Sequence, residues 1–339
     1  MENINNIFKF NKYISREAFE SEFNKNHPIK GDILMTRIGD IGTPALITKD
    51  IDIAYYVSLA RISLFYKALP EYMYFYIQTS QFQHELWKKT IHVAFPKKIN
   101  KEDIGECKVK LFSIKKQKEI SKILIAIENR IITQKKIIDN LNSLINSIIN
   151  RIYSNNNYNV KLSDVITQNT IRNKNILIDY ISSVSNKYGF IKQSEQFEDR
   201  DVASDDLTNY KVVRLNDFGY NPARINVGSI ARYKNTNDTV VSPMYICFKC
   251  KNNLYSEYLE YYFKSKEFKI HLLRRLEGSV RQCLTFESMQ NIPFYLPNLD
   301  KQKKNAKIIS AFFKKIQLET SILNKLILQK DYLLSKMFI

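Results

Sequence analysis

Glycine, proline, cysteine, histidine and tryptophan are all scarce in this chain: 8, 8, 4, 4 and 1 of them among 339 residues. So few glycines leave neither a GxGxxG dinucleotide fingerprint nor a GxxxxGK[ST] phosphate loop. The cysteines (Cys107, Cys247, Cys250, Cys283) have no framework spacing, which argues against a disulfide-built secreted domain and for a reducing, cytoplasmic setting. His27, His84, His92 and His271 are scattered and have no evident acidic partner, so no histidine-based acid–base site is legible. No apolar run reaches the ~20 residues of a membrane-spanning helix. The opening Met1-Glu-Asn-Ile-Asn also lacks the basic start and apolar stretch of a secretory signal. Acidic residues are the minority, 34 against 52 Lys and Arg, for a formal charge of +18. That balance favours an anionic partner such as nucleic acid. Lysine, however, is abundant together with Asn, Ile and Tyr, the bias of an AT-rich genome. The arginines are therefore the better witnesses to function.

What the chain does contain is a duplication. Leu111–Tyr153 is matched by Leu296–Phe338 at a shift of 185, which superposes Leu111 on Leu296, Gln117 on Gln302, Ile131 on Ile316 and Leu141 on Leu326. In the first copy Ile120, Leu124, Ile127, Ile131, Ile138, Leu141, Ile145, Ile148 and Ile152 follow alternating four- and three-residue steps, broken only at Gln134. The second copy keeps Ile309, Phe312, Ile316, Leu323, Leu326, Leu333 and Met337 in register, with Glu319 in the place of Gln134. A sustained heptad of this kind predicts a helix with a narrow apolar seam, about 55–60 Å long. One such seam cannot stay in water, so the natural partner of each helix is the other.

The repeat extends upstream. Leu69–Gln83 resembles Tyr255–Lys269, an amphipathic helix in both places, and Ile41-Gly42-Thr43 is echoed by Val227-Gly228-Ser229. Short β-branched runs punctuated by Gly, Pro and Asn predict strands and turns there. The expectation is an α+β fold: two mixed α/β modules, each followed by a long helix, the helices packed as an antiparallel, coiled-coil-like pair with pseudo-two-fold symmetry. A chain of this length suits two domains. The expected limits are 1–110 for the first module, 111–153 for its helix, 154–159 for a linker, 160–295 for the second module and 296–339 for its helix. Residue 1 aligns with about residue 186, whereas the second module begins near Tyr158, so the first is expected to be shortened at its N-terminus.

Three passages carry a family resemblance. Gly31–Ile47 reads GDILMTRIGDIGTPALI; Tyr220–Tyr233 reads YNPARINVGSIARY and is followed by VSPMYICF (Val241–Phe248); Ile104–Ile123 and Met289–Ile308 lead into the two long helices. Over nearly its whole length the chain resembles the specificity (S) subunit of type I restriction-modification enzymes. The second helix departs from that pattern, beginning LDKQKKNAKII rather than with the more usual glutamate-glutamine start. The resemblance implies a non-catalytic subunit with two target recognition domains, which read a bipartite site in double-stranded DNA. It also implies assembly with two modification subunits that bind S-adenosylmethionine and methylate adenine, and with a restriction motor-nuclease. No cofactor is expected in this chain itself.

The candidate DNA contacts follow from side-chain chemistry: Arg, Asn, Gln and Ser for base edges, Lys and Arg for phosphates. In the second module they are Tyr220, Asn221, Arg224, Asn226, Ser229 and Arg232 around a proline-restricted turn, and Ser279, Arg281 and Gln282 beyond a basic helix end. In the first module they are Thr36, Arg37 and Lys97. Tyr220 and Pro222 also suit packing, and Asn221 suits capping of its own turn. The expected helix-pair contacts are Ile120, Leu124, Ile127, Ile131, Ile138, Leu141, Ile309, Phe312, Ile316, Leu323 and Leu326. Catalytic readings find little support. Cys247 and Cys250 form a CxxC without a second pair, within an apparent strand that would point them to opposite faces. Asp103, Glu106 and Lys108 lack the upstream aspartate of a nuclease metal site, and Asn221-Pro222-Ala223-Arg224 lacks the second proline and aromatic of an adenine methyltransferase. From another class comes a protein-interaction scaffold whose helices dimerise. A related alternative is an S-like chain in which only the second domain reads DNA.

Overall fold

The computed structural model describes residues 13–23, 27–50, 52–64, 67–154, 158–196, 206–278 and 282–339. They divide into two compact units, Met1–Asp139 with Gln317–Ile339, and Asn140–Ile316. Helices α5 (Ile114–Tyr153) and α9 (Leu299–Met337) each contribute residues to both units.

Unit 1 begins with α1 (Arg16–Glu22), whose N-terminus is capped by Ser15 accepting the Ala18 N–H at 3.2 Å. A three-stranded antiparallel sheet follows, β1 (Ile33–Ile38), β2 (Asp40–Leu46) and β3 (Leu59–Ile62), in the order β2-β1-β3. Next come α2 (Pro70–Ile77), α3 (Ser80–Lys89) and α4 (Lys101–Gly105). Proline suits the first turn of α2, where its missing N–H costs nothing. The helix buries Tyr72 through Ile77 without a break, as expected of a segment apolar all round. The core gathers Ile33, Met35, Tyr72, Phe75 and Leu86 against Ile120 and Leu124 of α5, Leu334 of α9 and Phe338 just beyond its end.

Unit 2 contains β4 (Val160–Lys161), β5 (Ile166–Asn169), β6 (Ser182–Ser185), β7 (Gly189–Lys192), β8 (Lys211–Val213), β9 (Phe218–Tyr220), β10 (Ile230–Arg232), β11 (Thr239–Val241) and β12 (Ile246–Cys250). It continues with α6 (Ser256–Tyr262), α7 (Lys266–Leu273), α8 (Phe286–Gln290) and β13 (Pro293–Phe294). Its main sheet has the order β10-β9-β12-β5, and β11-β8, β13-β4 and β6-β7 form small pairs. The core centres on Tyr220, Phe248, Tyr258 and Phe294, and includes Ile145, Ile149 and Tyr153 of α5 with Ile309 of α9.

The duplication is visible element by element. The β2-β1-β3 sheet has its counterpart in β10-β9-β12, and β5, which extends that sheet in unit 2, has none beside β3 among the described residues. One tether is reproduced almost atom for atom. Gln117 is fully buried, accepts the Leu69 N–H at 2.9 Å and donates to the carbonyls of Lys67 and Phe112 at 3.0 and 2.9 Å. Gln302 is equally buried, accepts the Tyr255 N–H at 2.8 Å and donates to Asn253 and Pro297 at 3.0 and 2.8 Å. A buried amide satisfied on both its oxygen and its nitrogen fixes the start of each long helix against its module.

The helix pair is antiparallel within unit 1. Ile120 and Leu124 share a core with Leu334 and Phe338, Glu128 meets Lys330 at 2.6 Å, Ile127 and Ile131 pack with Leu323 and Leu326, and Gln134 meets Glu319. In unit 2 Ile309 is buried, with Phe312 and Ile316 packed around the same core. Ile138 and Leu141 are half-buried. The seam corrects the heptad reading towards its end: Ile145, Ile149 and Tyr153 are buried, while Ile148 and Ile152 are only partly so. An α-helix of 3.6 residues per turn drifts ~20° per heptad from a 3.5-residue pattern, which moves the buried line by one position.

Candidate nucleic-acid interface

In unit 2 the β9–β10 turn is built from inside. Tyr220 is fully buried, paired to Ile230 and Ile246, and its hydroxyl donates to the Leu284 carbonyl at 3.1 Å. Asn221 is buried too, its Oδ1 accepting the Ala223 N–H at 3.0 Å in a turn closed by Arg224 N–H to Asn221 O at 3.0 Å. Ser229 donates to the Val184 carbonyl at 2.7 Å from a buried position. Arg232 is held by Glu260 at 2.8 Å and Asn216 at 2.7 Å, and Glu260 also takes Lys234 at 2.7 Å. These four expected DNA contacts are therefore corrected: Tyr220, Asn221 and Ser229 are buried and Arg232 is half-buried against Glu260, so they form the frame of the turn.

The frame holds up Arg224 and Asn226, which are exposed on the turn and its short 3-10 segment (Ile225–Val227), ending in left-handed Gly228. Two further segments flank them. Asn186, Lys187 and Tyr188 are exposed at the β6–β7 turn, with Lys187 4.9 Å above the Tyr188 ring, and Gly228 faces Asn186. On another side Leu284 N–H donates to the Pro222 carbonyl at 3.1 Å, at the end of a loop closed by Glu277 and Cys283. Exposed Gln282 lies on that loop; Ser279 and Arg281 lie outside the described residues. Arg274 is exposed, whereas Arg275 is bound by the carbonyls of His271 and Asn291 at 3.2 and 3.3 Å, a cation at a helix C-terminus. A cavity of about 410 Å³ adjoins the turn, bordered by Tyr188, Gly228, Arg232, Lys234, Glu260 and Lys264. Sequence reasoning missed Asn186-Lys187-Tyr188. The turn signal Ser185-Asn186-Lys187-Tyr188-Gly189 between two β-branched runs would have found them.

Unit 1 places Thr36, Arg37 and Lys97 together at its β1–β2 hairpin. Arg37 is a brace: its guanidinium donates to the carbonyls of Val57 at 2.8 Å and Ile99 at 3.1 Å. Thr36 accepts the Thr43 N–H at 3.0 Å beside Asp40, which takes the Thr43 hydroxyl at 2.7 Å. Lys97 is exposed, and its carbonyl accepts the Gly39 N–H at 2.8 Å.

Burial pushes the Cys247 and Cys250 thiols up to about 12, far from the thiolate that metal binding or redox chemistry uses. Among the described residues no group of His, Cys, Asp or Glu is arranged to hold a metal ion, and no helix is long and apolar enough to cross a membrane.

Both units are sheet-based modules with exposed polar and basic turns, and both take residues from the two long helices. The family model described as the type I restriction modification DNA specificity domain matches the chain twice, over residues 3–143 and 146–328. The chain belongs to this family. It is a non-catalytic DNA sequence-recognition subunit of a type I restriction-modification system. No curated protein matches it. Among solved structures, a chain of a type I R-M system studied for its complex assembly and conformational transition is similar at TM-score 0.57 and 12% identity, covering 92% of this chain and 82% of that one. The type I restriction-modification S subunit from M. genitalium is similar at TM-score 0.55 and 14% identity, covering 93% and 85%. At these identities the likeness concerns the fold.

Proposed function

We propose that residues 1–110 and 160–295 are target recognition domains, each reading one part of a bipartite DNA site, and that the helices 111–153 and 296–339, with the 154–159 link, set the unread spacer. Arg224 carries this reading. It is an exposed arginine, without an ion-pair partner among the described residues, on a turn held from inside by Asn221 and Ser229. A guanidinium raised on a rigid turn suits bidentate contact with guanine in the major groove, and Asn226 and Gln282 suit adenine. Lys187, Arg274 and Lys97 suit phosphates. Readers one helical turn of DNA apart, about 34 Å, fall within the reach of helices of this length.

In this reading the chain works in the cytoplasm with two modification subunits, which bind S-adenosylmethionine and methylate adenine, and with a motor-nuclease for restriction. The test is methylation mapping of DNA exposed to the complex of this chain with its modification subunits. One bipartite motif is expected, and Arg224→Ala should relax it at one position of one half. Methylation without any sequence preference would sink the reading.

A further inference from the structure

The loop between Ile91 and Lys98 of unit 1 turns hydrophobic side chains fully into water. Val93 is 97% and Phe95 104% exposed, and Trp87, stacked on His84 and beside His92, is 61% exposed. Single exposed apolar residues are ordinary; two fully exposed on one short strap, next to a third at the end of α3, are not. The strap is held at both ends. Ile91 N–H donates to the Lys98 carbonyl at 2.7 Å, Gly39 N–H to Lys97 at 2.8 Å, and Ile99 N–H to Arg37 at 3.0 Å. Arg37 in turn clamps Ile99 at 3.1 Å. Lys97 and Lys98 flank the tip and are exposed, whereas Lys88 and Lys89 are paired with Glu85 and Glu106.

The repeat says what the strap corresponds to. In unit 2 the same place is taken by the loop closed by Glu277 and Cys283, and Leu284 N–H binds Pro222 where Ile99 N–H binds Arg37. Leu284, just past that loop, is thereby bonded to the turn that carries Arg224. Its sequence, Gly278-Ser-Val-Arg-Gln282, is polar where unit 1 has His92-Val-Ala-Phe-Pro-Lys97. One position in the module thus bears hydrogen-bonding side chains in one copy and apolar ones in the other. Flanking cations suit a polyanion, and the major groove offers one apolar group to a side chain, the thymine methyl.

We infer that Phe95 and Val93 are base-reading residues of unit 1, contacting thymine methyl groups in the major groove, with Lys97 and Lys98 on the adjoining phosphates. The inference rests on the proposed function and adds a chemistry to the first recognition domain. It is tested with the chain assembled with its modification subunits, acting on a random-sequence duplex library made once with thymine and once with uracil. Sequencing of methylated duplexes gives the preference at every position. Phe95→Ala and Val93→Ala should each weaken preference for thymine in one half-site only, by about fourfold per methyl contact. Uracil should cost the wild type the same factor at those positions and Phe95→Ala nothing further at the position Phe95 reads, and Phe95→Leu should retain part of the preference. Both side chains stand in solvent, so these substitutions leave the core intact. An unchanged motif in Phe95→Ala overturns the inference, and weakened assembly whose residual methylation keeps that motif overturns it too, marking a protein-docking strap. A wild-type complex that enriches no motif overturns the proposed function and this inference together.

Discussion

Gln134 on α5 donates its side-chain amide to the backbone carbonyl of Glu319 on α9 at 3.0 Å and to the Glu319 carboxylate, and the two residues stand 185 positions apart, the period of the repeat. Each meets its own counterpart, the relation found at the centre of an isologous pairing. Both are buried in the helix seam, which also holds the Glu128–Lys330 ion pair. Buried polar pairs of this kind penalise a slipped register, as a buried asparagine does in a coiled coil.

Gln134→Leu should therefore destabilise the chain by about 1–3 kcal/mol, since the buried carboxylate loses the donor facing it. Gln134→Leu with Glu319→Leu should return to within about 1 kcal/mol of the parent, because an apolar pair restores a dry seam. Urea unfolding followed by circular dichroism checks both. A double variant as weak as the single one would contradict the account.

Gly42, within β2, and Gly228, at the end of the 3-10 segment, occupy aligned positions of the repeat, and both have φ of +94°. Their surroundings differ. A Cβ at Gly42 would meet Gln83 at 2.6 Å and Leu86 at 2.9 Å, and Gln83 is fixed there by bonds to the carbonyls of Gly42 and Ile77 at 2.9 and 2.8 Å. At Gly228 the nearest atom would be 3.8 Å away. Gly228→Ala should cost about 1–2 kcal/mol, the left-handed penalty alone. Gly42→Ala should cost about 1–3 kcal/mol more through overpacking. Equal denaturation midpoints for the two variants would refute this.

The two arginines of the β9–β10 region should separate binding from folding. Arg224→Ala is expected to leave stability within about 0.5 kcal/mol while weakening DNA binding and relaxing one base position by about 1–3 kcal/mol. Arg232→Ala is expected to lower stability by about 1–3 kcal/mol, because it removes a half-buried partner of Glu260. Parallel thermal unfolding and DNA-retention assays tell them apart.

His271 supplies a pH dependence. It is buried on α7 against Glu267 at 2.9 Å, Tyr158 at 3.3 Å and Arg275 at 3.3 Å. Burial lowers its pKa from 6.5, with Glu267 opposing and Arg275 and Arg274 reinforcing the shift. The folded state thus favours the neutral ring. Its contribution is complete above the unfolded pKa and is lost as pH falls through about 6.5 towards the folded value. The unfolding midpoint should fall between pH 7.5 and 5.5, and His271→Gln should flatten that part of the profile. An unaltered slope in the variant would rule this out.

Periodicity and self-similarity were local, additive signals, and they carried far. The 185-residue shift located both long helices and the seam through Ile131, and it aligned Glu319 with Gln134, though their contact came only from the structure. The same shift superposed Gln117 on Gln302, though not their tethers to Leu69 and Tyr255. The site was legible only as chemistry. Arg37, Ser229 and Arg232 are the right residue types for DNA, yet their polar groups are taken by partners 62, 45 and 28 residues away, Ile99, Val184 and Glu260. Val93 and Phe95 carry no signal in the sequence that tells a buried apolar residue from an exposed one; they stand in water on a loop pinned at both ends. By itself the sequence determined the repeat, the helices and the family, since each rests on residue order along the chain. Only the tertiary structure decided which polar side chains remain free to meet DNA, because burial and bond partners are set by elements that are distant in sequence and packed together in space.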